Sequence, residues 1–165
     1  MEESLNPQEN ENILKADLPE GHLPSGSVDP FLLNGAALAY IGDAVYEIMV
    51  RQYMLATGSH QADRLHKHTI RMVNAGAQSD MIRALMTELT ETETGIFKRG
   101  RNASTLTTAR NQSVTDYRRA TGLEALFGYL YLSGQQERLR ELFEHGMALL
   151  KEEGGPDHRQ TESPT

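Results

Sequence analysis

Apolar residues recur at helical spacing through the whole middle of the chain. The clearest stretch runs from Asn34 to about Ala56, where apolar side chains follow an i, i+3, i+4, i+7 pattern. Its apolar members are Ala37, Tyr40, Ile41, Ala44, Val45, Ile48 and Met49. Asn34 is suited to cap the start of this helix and Gly58 to end it. Because no strand pattern and no internal repeat accompanies this periodicity, the sequence predicts an all-α domain.

The same periodicity predicts further helices in the second half of the chain. They cover residues 62–89 as two helices broken near Asn74, then 91–98, 115 or 116 to 133, and 135 to about 151. Between them, Gly100 and the polar residues 102–113 predict an exposed loop.

The two ends of the chain differ in composition from the middle. The net charge of the 165 residues is −7, but this charge is unevenly distributed. Lys15 is the only lysine or arginine among residues 1–29, which are otherwise rich in acids, and residues 152–165 are acidic and lack apolar side chains. Such composition is typical of disorder. We therefore expect a disordered acidic N-terminal tail (1–29), one folded domain (30–151) and a disordered C-terminal tail (152–165), with the folded part close to neutral.

Several classes of protein are excluded by what the sequence lacks. It has no cysteine, so it forms no disulfide or thiolate zinc site and suits a reducing cytosol. Its N-terminus has no basic region followed by an apolar one, and its longest apolar stretch, residues 35–42, is too short to span a bilayer. We expect a cytoplasmic protein without a membrane partner.

Two acids lie in unusually apolar surroundings. Asp43 lies in an Ala- and Gly-rich run, residues 33–47, and Glu124 in a similar run, residues 121–130. An ionised carboxylate placed there must find a partner or shift its pKa. Two helices that meet at these acids could hold Mg²⁺, which accepts one or two protein carboxylates and completes its shell with water and phosphate. The alternative is two ordinary, partly exposed acids on amphipathic helices.

These runs resemble the motifs of a known family. Tyr40-Ile41-Gly42-Asp43-Ala44-Val45 resembles the hallmark of the ribonuclease III endonuclease domain, and Leu123-Glu124-Ala125-Leu126-Phe127-Gly128 resembles its second motif. The bacterial Mini-ribonuclease III group is similar at three places: residues 33–47, 97–103 and 117–121. The resemblance covers about residues 32–150.

The resemblance implies an all-helical homodimer that cleaves double-stranded RNA with a divalent cation. Mg²⁺ is the expected ion, with Mn²⁺ as a substitute. Asp43 and Glu124 match the metal-linked catalytic carboxylates of the family. In the Mini-ribonuclease III group the implied reaction trims the ends of precursor 23S ribosomal RNA. Ribonuclease III enzymes often append a separate double-stranded-RNA-binding domain, but here only fifteen polar residues follow Leu150. We therefore expect the catalytic domain to bind RNA unaided or with a partner such as a ribosomal protein.

The chain departs from the larger enzymes of the family at three acidic positions. Ala36, Ala39 and Thr121 stand where those enzymes usually carry carboxylates, which leaves the number of bound metal ions open. Glu47, one turn after Asp43, is either an additional ligand or a solvated or paired acid, and we favour the second interpretation.

A basic segment follows the predicted short helix. Between residues 98 and 119 the only acid is Asp116. Proteins grip A-form RNA through phosphates and 2′-hydroxyl groups rather than through base edges in its deep major groove. The candidate RNA contacts are Lys98, Arg99, Arg101, Asn102, Arg110 and Arg118. A solvated basic face is the alternative for each residue taken singly.

Two other functions are compatible with an all-helical chain of this length. One is a catalytically inactive ribonuclease III-like module that binds RNA or the ribosome, which is disfavoured because both Asp43 and Glu124 are present. The other is a helical dimerisation scaffold, which leaves the basic segment unexplained.

Overall fold

The computed structural model describes residues 28–58, 60–103 and 113–152, and within them it is helical without a β-strand. Its α-helices are α1 (Gly35–Thr57), α2 (Ala62–Val73), α3 (Ala75–Leu85), α4 (Glu91–Ala103), α5 (Val114–Leu132) and α6 (Gln136–Glu152). Short 3-10 turns precede α1 (Pro30–Leu32) and follow α3 (Met86–Glu88). The all-α prediction is confirmed.

Helices α1 and α5 form the centre of the domain and cross at two glycines. A Cβ atom at Gly42 would overlap the carbonyl oxygen of Glu124, and one at Gly128 would overlap the carbonyl oxygen of Leu38. The two backbones therefore touch without intervening side chains, which only glycine allows. This contact fixes the position of Asp43, one residue after Gly42, relative to Glu124.

The other helices pack around this pair. Helix α4 lies along α1 and α5, while α3 packs on both α5 and α6, and α2 packs on α1. The core contains Tyr46 and Phe127 at its centre, and their rings lie 5.7 Å apart. The Tyr46 hydroxyl, which is fully buried, donates a 2.9 Å hydrogen bond to the carbonyl of Met72 and so ties α1 to the end of α2.

Most predicted helix ends agree with the structure because their signals are local. At the start of α1, the Asn34 side chain accepts a hydrogen bond from the backbone amide of Ala37. At its end, the backbone amide of Gly58 donates a hydrogen bond to the Met54 carbonyl. Asn74 ends α2 and caps α3 through a bond from the Ala77 amide. Ser113 caps α5, which begins at Val114, one or two residues before the predicted start at Thr115 or Asp116.

The prediction of a loop from Gly100 onward was wrong for its first residues. Helix α4 continues to Ala103, and Gly100 is buried against α5, where a Cβ would overlap the side chain of Ala125. A glycine that weakens a helix in isolation here permits a close approach between two helices. The rest of the predicted loop up to residue 112, including Arg110, lies outside the described residues.

The tails predicted at residues 1–29 and 152–165 also lie almost wholly outside the described residues. Near the first described residue, the Asp29 side chain caps the 3-10 turn by accepting a hydrogen bond from the backbone amide of Phe31. Where it ends, Glu152 still belongs to α6. Within the described part, no helix is both long and apolar enough to cross a membrane.

Candidate active site

Asp43 and Glu124 face one open cleft of roughly 650 Å³. Helices α1, α4 and α5 form its walls. The lining residues are Ala36, Ala39, Tyr40, Ile41, Asp43, Ala44, Glu47, Ala103, Tyr117, Thr121 and Glu124. The two acids predicted from the sequence are therefore brought together by the fold, although 81 positions separate them along the chain.

Helix geometry explains which side chains of α5 and α1 line the cleft. On α5, Tyr117, Thr121 and Glu124 lie at i, i+4 and i+7 and so share one face. On α1, the alanines at 36, 39 and 44 surround Asp43. Because none of these alanines extends beyond Cβ, the wall beside the acids is thin and the cleft stays wide at the carboxylates.

The two carboxylates influence each other electrostatically. Burial, above all, and the charge of Asp43 raise the pKa of the Glu124 carboxyl to about 7. Partial burial, together with the charge of Glu47, raises the pKa of Asp43 above its usual range. Two independent acids on separate exposed surfaces would not show this coupling. The site is thus a region of concentrated negative charge that a cation would relieve.

A residue that sequence reasoning missed completes the site. The side-chain amide of Gln78, on α3, donates a 3.2 Å hydrogen bond to Oε1 of Glu124. The Gln78 side chain is buried, with 2% of its surface exposed. No local signal identifies it, because the contact joins residues 46 positions apart.

Glu47 is engaged within its own helix. Its Oε1 accepts hydrogen bonds from Nε and Nη2 of Arg51 at 2.9 and 2.7 Å. Glu47 also lines the cleft and adds to the negative charge near Asp43. The favoured interpretation of Glu47 as a paired acid agrees with this geometry.

The donor set at the cleft suits a hard divalent cation. Asp43 and Glu124 offer carboxylate oxygens, and within the described residues no group of three or more His, Cys, Asp or Glu side chains could hold a metal ion. A closed protein cage is thus not formed by these residues, whereas Mg²⁺ needs only one or two carboxylates and keeps several water ligands. The two acids and their open surroundings fit such an ion.

The predicted RNA contacts on α4 lie outside the cleft. Lys98 and Asn102 are exposed one turn apart, and Arg101 donates a 3.3 Å hydrogen bond to Oδ1 of Asn102. The Arg101 guanidinium lies over the ring of Phe97, 5.7 Å from its centre. Arg118 is exposed near the start of α5 and does not line the cleft, whereas its neighbour Tyr117 does.

Arg99 has a structural partner of its own. Its Nη1 donates to the carbonyl of Phe31 and, at 3.1 Å, to that of Leu33, and its guanidinium lies 4.9 Å from the centre of the Phe31 ring. It therefore holds the segment before α1 against α4.

The cleft also presents two aromatic side chains that the sequence analysis did not assign to the site. Tyr40 is 85% exposed and Tyr117 is 37% exposed, and both line the cleft. Thr121 lies between Tyr117 and Glu124 on α5, and its hydroxyl donates to the Tyr117 carbonyl. The spacing of Tyr117 and Thr121 from Glu124 was the signal that could have found them, since it places all three on one helix face.

Comparison with known proteins identifies the family. Residues 36–135 match the Ribonuclease III domain family. The chain is 44% identical over 125 residues to a Mini-ribonuclease 3 of Brevibacillus brevis, covering 76% of this chain and 93% of that protein. It is 49% identical over 112 residues to a Mini-ribonuclease 3 of Enterococcus faecalis, covering 67% and 85%.

A solved structure agrees with these relatives. The crystal structure of a Fusobacterium nucleatum protein superposes with a TM-score of 0.65 at 32% identity, covering 77% of this chain and 99% of that one. The fold is that of a ribonuclease III endonuclease domain. The chain belongs to the ribonuclease III family and, within it, to the Mini-ribonuclease 3 group. The predicted class of enzyme, a double-strand-specific endoribonuclease, is confirmed at this level.

Proposed function

We propose that Asp43 and Glu124 are the catalytic carboxylates of this endoribonuclease and that they bind Mg²⁺, with Mn²⁺ as a substitute. The observation that carries this proposal is their convergence on one cleft, where burial and the charge of Asp43 raise the pKa of Glu124. A bound divalent ion supplies charge to neutralise the scissile phosphate and lowers the pKa of a coordinated water.

The residues of the chain hold the reacting groups in place. Asp43 and Glu124 provide the negative charge that retains the cation, and their fixed backbone contact through Gly42 sets the site's geometry. Ala36, Ala39 and Ala44 leave room for an RNA backbone beside the acids. Tyr40 and Tyr117 form exposed walls on which a ribose or phosphate can rest.

RNA binding is assigned to the basic residues beside the cleft. Lys98 and Asn102 are exposed on α4, with the half-buried Arg101 beside Asn102, and Arg118 is exposed on α5. These side chains suit phosphate contacts along a duplex. We keep Arg110 as a candidate from the sequence, while Arg99 supports the α4 face through the segment that contains Phe31.

We propose precursor 23S ribosomal RNA as the substrate, which the resemblance to the Mini-ribonuclease III group implies. We propose that the chain trims its ends in the cytoplasm, with a ribosomal protein on the RNA as an activating partner. The absence of cysteine suits that reducing compartment. A cleavage assay on the precursor RNA, alone and with its bound ribosomal proteins, distinguishes unaided cutting from activation.

The active form is proposed to be a homodimer. Two large apolar side chains that do not line the cleft lie exposed on one side of α1: Ile48 at 45% and Leu55 at 52%. Such a stripe marks an interaction surface, and a two-fold dimer would give each strand of a duplex its own carboxylate pair and leave short 3′ overhangs. Light scattering should show twice the 18.4 kDa chain mass. Ile48→Asp should reduce it to the monomer, whereas Ile70→Asp, at a similarly exposed position on α2, should not.

The central test uses isosteric substitutions of the two acids. Asp43→Asn and Glu124→Gln should abolish cleavage of a long RNA duplex in Mg²⁺ while leaving folding and duplex binding largely intact. The matched controls are Asp63→Asn and Glu144→Gln, which alter exposed acids away from the cleft. A chelator should stop wild-type cleavage. Duplex binding without cleavage by the wild type would instead favour the inactive RNA- or ribosome-binding module.

A further inference from the structure

Gln78 is a buried polar residue that contacts the carboxylate pair from outside the cleft. Its Nε2 lies 3.2 Å from Oε1 of Glu124, and only 2% of its surface is exposed. The ionised Glu124 carboxylate can only accept a hydrogen bond, and the amide N–H₂ group of Gln78 faces it as the donor. Gln78 is absent from the cleft lining, which places it behind Glu124 rather than beside a substrate.

The position of Gln78 is fixed by the cap of its helix. Gln78 lies in the first turn of α3, where its backbone N–H group donates a 3.1 Å hydrogen bond to the backbone carbonyl of Asn74. The Asn74 side chain accepts from the Ala77 amide at 2.9 Å and donates to carbonyls of the last turn of α2, at Arg71 and Ile70. A side chain on so tightly capped a turn can hold its partner in one orientation.

The neutrality of Gln78 matters as much as its position. A Lys or Arg at this point would neutralise Glu124 and compete with a divalent cation for it. An amide donates a hydrogen bond and orients the carboxylate but leaves the negative charge of the Asp43 and Glu124 pair available. A group that donates a hydrogen bond to a metal-ligating carboxylate sets the orientation of that carboxylate.

We propose that Gln78 is a positioning residue that orients the Glu124 carboxylate for binding of the divalent cation. This inference rests on the proposed role of Glu124. Gln78 is buried and does not line the cleft, so it should act through Glu124 and influence cation affinity without altering the duplex-binding surface.

The experiment compares substitutions that keep or remove the amide. Gln78→Met keeps the length and the helix propensity but removes the donor, and Gln78→Asn keeps the donor but shortens its reach. Thr69→Val is the matched control, because Thr69 is a buried polar residue of α2 that lines a different groove. Binding of Mn²⁺ alone to the full chain is measured by electron paramagnetic resonance of the free ion. Duplex affinity in the presence of chelator and the melting temperature are measured for the same variants.

Both Gln78 variants should bind Mn²⁺ roughly 10- to 100-fold more weakly than wild type, with Gln78→Met at least as impaired as Gln78→Asn. Cleavage at saturating duplex should need correspondingly more Mg²⁺. Duplex affinity in chelator should equal that of wild type, and Thr69→Val should leave Mn²⁺ affinity unchanged. A purely structural role would lower the melting temperature without moving the metal dependence, and that result would overturn the inference.

A double substitution separates this inference from the proposed function. In a Glu124→Gln background, adding Gln78→Met should cause no further loss of Mn²⁺ affinity, because the group through which Gln78 acts is already neutral. If Glu124→Gln cuts like wild type, the proposed catalytic pair fails. If Glu124→Gln is inactive but Gln78→Met binds Mn²⁺ like wild type, only the role of Gln78 fails.

Discussion

Gly42 and Glu124 touch through their main chains, since a Cβ atom on Gly42 would overlap the carbonyl oxygen of Glu124. The hydrogen atoms of one glycine thus set the closest approach of α1 and α5. Asp43, the residue after Gly42, is placed relative to Glu124 by backbone contact rather than by side-chain packing.

Gly42→Ala should therefore destabilise the fold severely. The added methyl group meets backbone atoms that cannot rotate away, so the helices must separate, at a cost of about 3 kcal/mol or more. Urea unfolding measures the loss. Gly95→Ala is the control, because a Cβ there meets nothing within 4 Å and the substitution should stabilise α4 by roughly 0.5–1 kcal/mol. Equal stabilities of the two variants would contradict the proposed close contact.

Glu124→Gln should stabilise the protein in chelator at neutral and higher pH. The pKa of Glu124, raised from 4.5 to about 7, means that the folded state keeps a proton that the unfolded chain releases between these values. The free energy of unfolding of the wild type should therefore fall relative to that of Glu124→Gln as the pH rises from 4.5 to about 7. Above this range the difference between the two proteins should stay constant, on the order of 3 kcal/mol. Urea unfolding from pH 4.5 to 8 tests this, with Glu144→Gln as the control. A difference independent of pH would argue against the raised pKa.

Glu93→Gln should show the opposite pH dependence. Burial alone would raise the pKa of Glu93, but bonds from Arg138 at 2.8 and 3.0 Å and from the Thr90 amide outweigh burial and lower it. The carboxylate therefore contributes stability above its unfolded pKa near 4.5, and this contribution is lost as the pH falls through the lower folded value.

At pH 7 the loss in Glu93→Gln should be roughly 1–3 kcal/mol, and it should disappear in strong acid. Chemical unfolding at the two pH values provides the measurement. Glu141→Gln is the matched control, since Glu141 also pairs with Arg138 but is 66% exposed and should contribute little. A Glu93→Gln loss that persists unchanged in acid would rule out the ionised pair as its cause.

Replacement of Lys98 and Arg101 by Ala should weaken duplex binding and flatten its salt dependence. Each lost phosphate contact removes roughly 0.7–0.9 from the log–log slope, so the pair should lower it by about 1.5. Filter binding in chelator at several salt concentrations measures the slope. The control pair, Arg64→Ala with Lys67→Ala, removes exposed charges from α2 and should leave the slope unchanged. Arg99 is left intact because it holds the Phe31 segment.

The sequence predicted those parts of the fold that are specified locally. Apolar spacing located the helices, and the caps at Asn34 and Asn74 located their ends, because each depends on residues within one or two turns. Asp43 and Glu124 were found because their apolar surroundings and family motifs can both be read from the chain.

What the sequence could not supply depends on contacts between distant segments. Gly100 favoured a loop by its intrinsic propensity, yet its contact with α5 keeps it in a helix. Gln78 and Arg99 are ordinary polar residues until the fold brings them to Glu124 and Phe31, which lie 46 and 68 positions away. Their roles arise from tertiary packing, and neither has a local pattern.

The openness of the acidic cleft has a consequence for inhibitor design. Small molecules bind tightly when a pocket encloses most of their surface, whereas the wide cleft beside Asp43 and Glu124 leaves one side of any ligand in water. A purely apolar compound would gain little there. If the proposed divalent cation is bound there, a compound that joins a cation-chelating head to a flat ring stacked on Tyr40 or Tyr117 would use both the cation and the aromatic walls of the cleft.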